Sequence, residues 1–349
     1  MTGRPAAIGI AALDGAALAI ALEELGQPRF RTSQVIRWLY ARGASSYDEM
    51  TDLPSSLRNE LSERWPLARP VLEVRVVSAL DDTRRYLWRL ADRATVESVG
   101  LPTADRVTVC FSTQAGCAMG CSFCATGQGG LTRDLGPGEM VDQVRGVGED
   151  FGRRVTNAVA MGQGEPFANY DSTLGALRLM NDPDGLGIGA RHLTVSTCGL
   201  VAGIERFAHE PEQFTLAVSL HSAVQSTRDR LMPGVRTQTL DRLRHALEDY
   251  ATHSGRRPSI EYALIAGVND TAEEVDALVR FCRGLLIHVN LIPVNTTRAA
   301  DIARPSAESS RSVLEILRAE GIESSLRVER GTDIDAACGQ LTQTHAEEA

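Results

Sequence analysis

Apolar residues recur along the chain with two different periods, and the switch between them divides it. Over residues 12–25 and 33–43 they return every three or four positions, the spacing of an amphipathic helix. Ser33 reads as an N-cap for the second helix and Gly43 as its stop. A third helix is expected after Leu53-Pro54, from Ser55 to Trp65. From Val71 onward the period shortens: Val71–Val77, Arg85–Leu90 and Thr95–Val99 read as strands, with Asp81-Asp82 as a turn. Glu97 lies in the third run, where the pattern alone reads it as a strand carboxylate facing solvent.

Past Arg106, apolar strand-like runs at 106–112, 155–161, 191–196, 214–220, 258–264 and 287–293 alternate with helical patterns near 137–151, 171–181, 201–209, 238–253, 271–285 and 306–320. Six β/α units in succession predict a parallel sheet with right-handed crossovers, most economically a partial barrel. The expected fold class is therefore α/β, with a partial (β/α)6 barrel over 105–342. A small helical domain (1–70) and a β-rich connector (71–104) precede it, and a flexible tail (343–349) follows. The polar motifs fall at one end of the predicted strands. Three cysteines follow the first strand, Gly162-Gln-Gly-Glu165-Pro166 the second, Ser196-Thr-Cys-Gly199 the third, Ser219-Leu-His221 the fourth and Asn295 the sixth. In β/α barrels the loops at the strand C-termini build the active site.

Composition narrows the chemistry. A chain of 349 residues with 43% hydrophobic and 23% charged residues fits an ordinary soluble enzyme. No apolar run reaches the ~18 residues a membrane span needs, so a cytoplasmic protein is expected. All 36 basic residues are arginine, which excludes lysine Schiff-base or general-base catalysis. A net charge of −9 argues against indiscriminate nucleic-acid binding. The charge is uneven, however: the balance is +1 over residues 1–93 and −10 over the remainder. Arg29, Arg31, Arg37 and Arg42, interleaved with Phe30, Trp38 and Tyr40, suit RNA backbone and bases, although packing in a core is the commoner fate of such aromatics.

Three of the seven cysteines stand at Cys117-x3-Cys121-x2-Cys124. That spacing fits neither the paired Cys-x2-Cys halves of a structural zinc site nor a thioredoxin-type motif. Three thiolates in a tight loop suit an iron–sulfur cluster, and since four-iron clusters usually take four cysteines, one iron is left open for a non-protein ligand. Cys198 and Cys282 have no evident role beyond the core.

A three-cysteine cluster loop in a β/α barrel resembles the radical S-adenosylmethionine (SAM) superfamily, in which the open iron binds the methionine moiety of SAM. Gly164-Glu165-Pro166 matches the superfamily motif that holds the methionine ammonium. The stretch Leu326-Arg-Val-Glu-Arg-Gly331-Thr-Asp-Ile-Asp-Ala-Ala-Cys338-Gly-Gln-Leu341, together with Cys110, Glu97 and the helical Phe30-Arg-x-x-Gln-x-x-Arg-Trp-Leu-Tyr40 segment, narrows the match. Over residues 28–342 the chain is similar to the RlmN/Cfr family of radical SAM RNA adenine methyltransferases, and Arg330-Gly331 favours the RlmN form.

The resemblance implies a methyl group placed first on Cys338, hydrogen abstraction from it by a deoxyadenosyl radical, and addition to adenosine C2 of large-subunit rRNA and, in some members, tRNA. Glu97 is then the proton acceptor. Cys110 is the resolving thiol that releases the product through a transient disulfide. Cys117, Cys121 and Cys124 are the implied ligands of a [4Fe-4S] cluster. Gly164, Glu165, Ser196, Ser219, Leu220, His221 and Asn295 are the implied contacts to SAM, of which two are used per turnover. An RNA substrate, an electron donor such as flavodoxin or ferredoxin, and a monomeric state follow from the same likeness. The alternatives are methylation at C8 as in Cfr, a paralogue with another RNA target, and a retired RNA-binding iron–sulfur protein. The chain departs from the family pattern at Gln163, at Phe167 and in the loop after Asn295.

Overall fold

The structure, a computed structural model, describes residues 9–294, 302–328 and 330–334; Asn295, Cys338 and the tail lie outside these. The first helices are α1 (Gly15–Glu24), α2 (Phe30–Ile36) and α3 (Ser55–Arg64). Asp14 caps α1 by accepting the Ala17 N–H at 2.7 Å. Ser33 is not an N-cap: α2 starts at Phe30, three residues earlier. The Pro28 carbonyl accepts the Arg31 N–H there, and the Ser33 hydroxyl serves Asp184 instead. The helix runs on through a π-helical stretch, Arg37–Ala41, and stops at Gly43, whose φ of +68° favours glycine.

The connector is a meander of β1 (Val71–Val77), β2 (Arg84–Arg89) and β3 (Thr95–Pro102), and β3 pairs antiparallel with β4 (Val107–Cys110). After β4 the chain forms a hairpin of β5 (Gln114–Gly116) and β6 (Leu131–Asp134), with the cysteine loop and a short helix, α4 (Ala125–Gln128), between its arms. The β/α alternation then runs α5 (Pro137–Phe151), β7 (Asn157–Ala160), α6 (Tyr170–Asn181), β8 (Leu193–Thr197), α7 (Val201–Phe207), β9 (Thr215–Ser219), α8 (Gln225–Leu231), α9 (Leu240–Ser254), β10 (Ser259–Leu264), α10 (Ala272–Cys282), β11 (His288–Pro293), α11 (Ala307–Ala319) and β12 (Ser324–Leu326).

These strands make one ten-stranded sheet in the order β1-β2-β3-β4-β7-β8-β9-β10-β11-β12, parallel from β4 onward. The six expected strands are all present. β12, Ser-Ser-Leu, is a seventh parallel strand that was too short and polar to stand out. β1 and β12 remain separate edges among the described residues, so the barrel is partial.

Two contacts fix the accessory parts to the barrel. Trp88 packs so close to Gly146 of α5 that a β-carbon there would lie 2.7 Å from its ring, while its Nε1–H donates to Ser98 Oγ at 2.7 Å. Arg69 ties the helical domain to α5: it donates to the Leu39 and Ala44 carbonyls and reaches the buried Asp142 carboxylate at 2.5 Å. Arg145 also approaches Asp142, at 3.3 Å. Removing Arg69 therefore strips Asp142 of its nearer partner and leaves two carbonyls without their donor. The variant Arg69→Ala is expected to lose about 3 kcal/mol, the lower end of the cost of breaking a buried pair because Arg145 remains. Urea unfolding of both proteins measures it.

Candidate active site

The C-terminal ends of the parallel strands surround a cavity of about 340 Å³. Cys117, Cys121, Phe123 and Cys124 form one wall and Gly164 and Glu165 the next. Ser196, Thr197 and Cys198 come from the end of β8, and Ser219 and His221 from the end of β9. Opposite them lie Cys110, Val99 and Leu101, with Arg327 and Arg330 from the C-terminal segment. Most site residues expected from the sequence thus meet in one place. Leu220 does not line it: its side chain is in the core, its N–H donates to the Glu261 carbonyl and its carbonyl accepts from Ser222.

The loops are joined by buried polar contacts. Ser112, just past β4, accepts from the Gln163 N–H at 2.9 Å and donates to the Glu97 carbonyl at 2.5 Å. Gln143 of α5 clamps the Ser112 backbone from both sides. Gln114 accepts the Glu165 N–H at 2.9 Å. Gly164 (φ +101°) lies so close to Gln114 that a β-carbon would come within 2.6 Å of it. The Glu165 carboxylate, 3% exposed, accepts from Thr197 Oγ1 (2.7 Å) and from the N–H groups of Cys198 (2.7 Å) and Phe167 (2.9 Å). Burial raises its pKa and these donors act against that.

Thiols and imidazole are both biased to neutral forms. Burial pushes Cys117 up to about 11 and Cys121 further, each helped by its cysteine neighbours and by Glu165. A bound cation reverses that logic and deprotonates a ligating thiol. Among the described residues no three candidate ligands gather round a single ion. A four-iron cube binds each cysteine through a different iron, so its ligands need not converge, and three cysteines on one wall fit it. Burial lowers the His221 pKa to about 3. Its Nδ1 accepts the Ala263 N–H at 2.9 Å, so the proton of the neutral ring sits on Nε2. Asn269 holds the His221 carbonyl at 2.6 Å, stabilising a φ of +57°, and Phe123 packs edge-on to the ring at 4.7 Å.

Glu97 is not a solvent-facing carboxylate: it is 0% exposed. Alternation along β3 puts it on the same face as Val99 and Leu101, which line the cavity, although Glu97 itself is not among the lining residues. Val99 pairs directly with Cys110, so Glu97 lies diagonal to that thiol. Arg85 on β2 stands 4.0 Å from the carboxylate. Ile334 packs into the same patch as Val99 and Cys110. The segment bearing it is anchored to the connector turn, where Asp333 accepts from Ser78 Oγ (2.7 Å) and the Ala79 N–H (2.9 Å), and Asp81 accepts the Gly331 N–H (3.1 Å). Arg330 donates to the Pro102 carbonyl. Sequence reading missed Thr197, Gln114, Asn269 and this anchor, although Thr197 sits inside a motif it had marked.

Residues 111–282 match the radical SAM superfamily, and residues 8–66 match the ribosomal RNA large subunit methyltransferase N-terminal domain. A radical SAM methyltransferase from Sphaerobacter thermophilus superposes with a TM-score of 0.90 at 45% identity, covering 97% of this chain and all of that one. Fold and cavity thus define a radical SAM enzyme, a class that uses a four-iron cluster and SAM. Two relatives narrow it, both described as probable dual-specificity RNA methyltransferase RlmN. The protein of Pelotomaculum thermopropionicum is 47% identical over 92% of this chain and 87% of its own length, and that of Thermoanaerobacter sp. 41% over 93% and 94%. The chain belongs to the RlmN family of SAM-dependent RNA methyltransferases. No described helix is long and apolar enough to cross a membrane.

The anchor at Asp333 can be tested without catalysis. A hydrogen bond to a charged group is worth about 1.5–3 kcal/mol, less when partly exposed. The variant Asp333→Ala is expected to speed amide hydrogen exchange across 330–334 about tenfold, read by mass spectrometry, with β4 and β7 unchanged.

Proposed function

We propose that this enzyme methylates C2 of an adenosine in large-subunit (23S) rRNA and in tRNA, through an S-methylcysteine at Cys338 and a covalent RNA adduct resolved by Cys110. The observation that carries the reading is the shared patch of Cys110, Val99 and Ile334. Ile334 precedes Cys338 by four residues, a reach of at most about 14 Å. Cys110 is therefore within range of a thiol that the sequence places nearby and the chemistry requires.

Adenine C2 lies between two ring nitrogens and is a poor nucleophile, so a carbon radical adding to it is the practical route. Cys117, Cys121 and Cys124 are assigned as the cluster ligands. With SAM held there, a four-iron cluster on these residues would supply the electron for reductive cleavage of the sulfonium, and a second SAM would supply the methyl group. The neutral His221 offers its Nε2–H as a donor, and Ser196 and Ser219 offer hydroxyls. Gly164 and Glu165 are assigned to the methionine ammonium; because Thr197, Cys198 and Phe167 already bind the Glu165 carboxylate, it fixes the loop as well as presenting charge. Asn295 and Leu220 keep their assignments by resemblance, Leu220 with no side-chain access to the cavity.

Hydrogen-atom abstraction from the S-methyl group of Cys338 by the radical that the sulfonium cleavage generates leaves a methylene radical that adds to C2. The odd electron of the adduct would return to the oxidised cluster, and Glu97 on β3 accepts the C2 proton. The Cys110 thiolate then attacks the Cys338 sulfur. The S–C bond breaks, its electron pair goes to the methylene carbon, which takes up a proton to become the methyl group, and a disulfide remains for an external dithiol to reduce. A one-electron donor such as flavodoxin or ferredoxin feeds the cluster, and the chain acts as a monomer.

The variant Cys110→Ala, purified from cells, is expected to carry covalently bound RNA that the wild type has released; an adduct-free variant beside an active wild type removes Cys110 from the mechanism. Nucleoside digests of rRNA and tRNA from cells with and without the gene locate the methyl group. The expected difference is 2-methyladenosine in both fractions. Finding 8-methyladenosine instead replaces C2 with C8, and no difference favours a retired binder.

A further inference from the structure

Beneath the cysteine loop lies a charge that the reaction above does not use. Arg228 on α8 is 0% exposed and is the largest fully buried side chain described. One nitrogen, Nη2, donates to the Cys198 carbonyl at 2.7 Å. Nε and Nη1 are buried without a hydrogen-bond partner among the described residues, and none of the ion pairs among those residues includes the guanidinium. The neighbouring Asp229 is engaged by Gln225 at 2.7 Å. Gly199, at φ +96°, leaves the guanidinium its space, since a β-carbon there would stand 2.8 Å from Nη2.

Arginine cannot escape this position by losing its proton. An isolated buried cation costs several kcal/mol, so a counter-charge is needed. The groups whose negative forms favour its charge are, in falling order, the Cys198 thiol, the Cys121 thiol and the Asp229 carboxylate, the last of which makes no ion pair with it. The loop that carries Cys121 is tied to the end of the same helix and to the turn after it: Ser122 N–H donates to the Leu231 carbonyl at 2.9 Å, and Gly234 N–H to the Met119 carbonyl at 2.9 Å. Arg228 is thus locked in register with the cysteine loop by backbone contacts on both sides.

We propose that Arg228 is the fixed counter-charge of the iron–sulfur cluster, a positioning residue that raises the cluster's reduction potential. This rests on the reading that Cys117, Cys121 and Cys124 hold a four-iron cluster. Three thiolates outweigh the charge of the oxidised iron core, so the cluster is an anion, and taking up one electron makes it more negative. A buried guanidinium stabilises both forms and the reduced form more. In the cluster-free chain the same charge is a liability.

The test compares wild type, Arg228→Met and Arg228→Lys after anaerobic reconstitution, measuring iron and sulfide per chain and then the reduced fraction by electron paramagnetic resonance in a dithionite titration. Arg228→Met is expected to lower the ratio of reduced to oxidised cluster at fixed ambient potential by tenfold or more, which is about 59 mV for one electron. Arg228→Lys is expected to recover most of the shift. A wild-type potential in the methionine variant overturns the inference alone. A wild type that binds no four-iron cluster overturns the cluster assignment and the inference together. If Arg228→Met takes up no cluster, urea unfolding of the cluster-free chains decides: stability equal to or above wild type supports the counter-charge, and lower stability makes Arg228 a packing residue and overturns it.

Discussion

The site depends on one buried carboxylate. Glu165, in the loop after β7, is reached from two other strand-end loops at once: its own backbone N–H is held by Gln114 after β4, and its carboxylate by Thr197 and Cys198 at the end of β8. A neutral side chain of the same size would satisfy fewer of these donors and hold them less tightly, since bonds to an ionised acceptor are roughly twice as strong. Burial works against the charge, so the donors must all be in place for it to persist. That mutual requirement explains the glycine at 164, where the chain presses against Gln114 too closely for any side chain.

The connector β1–β3 has two uses. One face of β3 packs through Gly100 and Ser98 toward α5 and Trp88; the other carries Glu97, Val99 and Leu101, of which Val99 and Leu101 line the cavity. Its β1–β2 turn then takes hold of residues 331–333 from the far end of the chain. A segment of this kind, with few apolar residues, has little hydrophobic reason to dock anywhere. Its register is set by the hydrogen bonds at Asp333, Asp81 and Arg330 and by the apolar packing of Ile334, so the connector decides where residues 330–334 dock.

How much of this was legible in the sequence follows from range. The six principal strands and most of the helices between them announced themselves because each buries its own apolar residues with a local period; the seven-residue α8 was not among the expected helices. The cysteine loop was legible because its ligands are neighbours in the chain. β12 was not, because three residues carry no period. Ser33 misled because a good N-cap residue was weighed without Pro28, which starts the helix earlier. Glu97 was misread by pattern and placed by resemblance; only the cross-strand pairing of β3 with β4 turns its face inward. Ser78, Asp81 and Asp333 are surface-type residues separated by 250 positions or more from their partners, and no local pattern marks them.

The electrostatics of the cavity show why its parts must be considered together. Without cofactors, burial favours the neutral forms of Cys117, Cys121, Cys198, Glu165 and His221, while Arg228 is expensive whichever way it turns. Such a pocket disfavours the anions that a cluster requires of its ligands, and loading it must expel thiol protons. The favourable side of that exchange is the iron's own charge together with relief at Arg228. The neutral His221 adds no repulsion toward a sulfonium or an ammonium, which an imidazolium in its place would. The same burial that raises the Cys117 and Cys121 pKa values disfavours their thiolates until a cationic partner arrives with them.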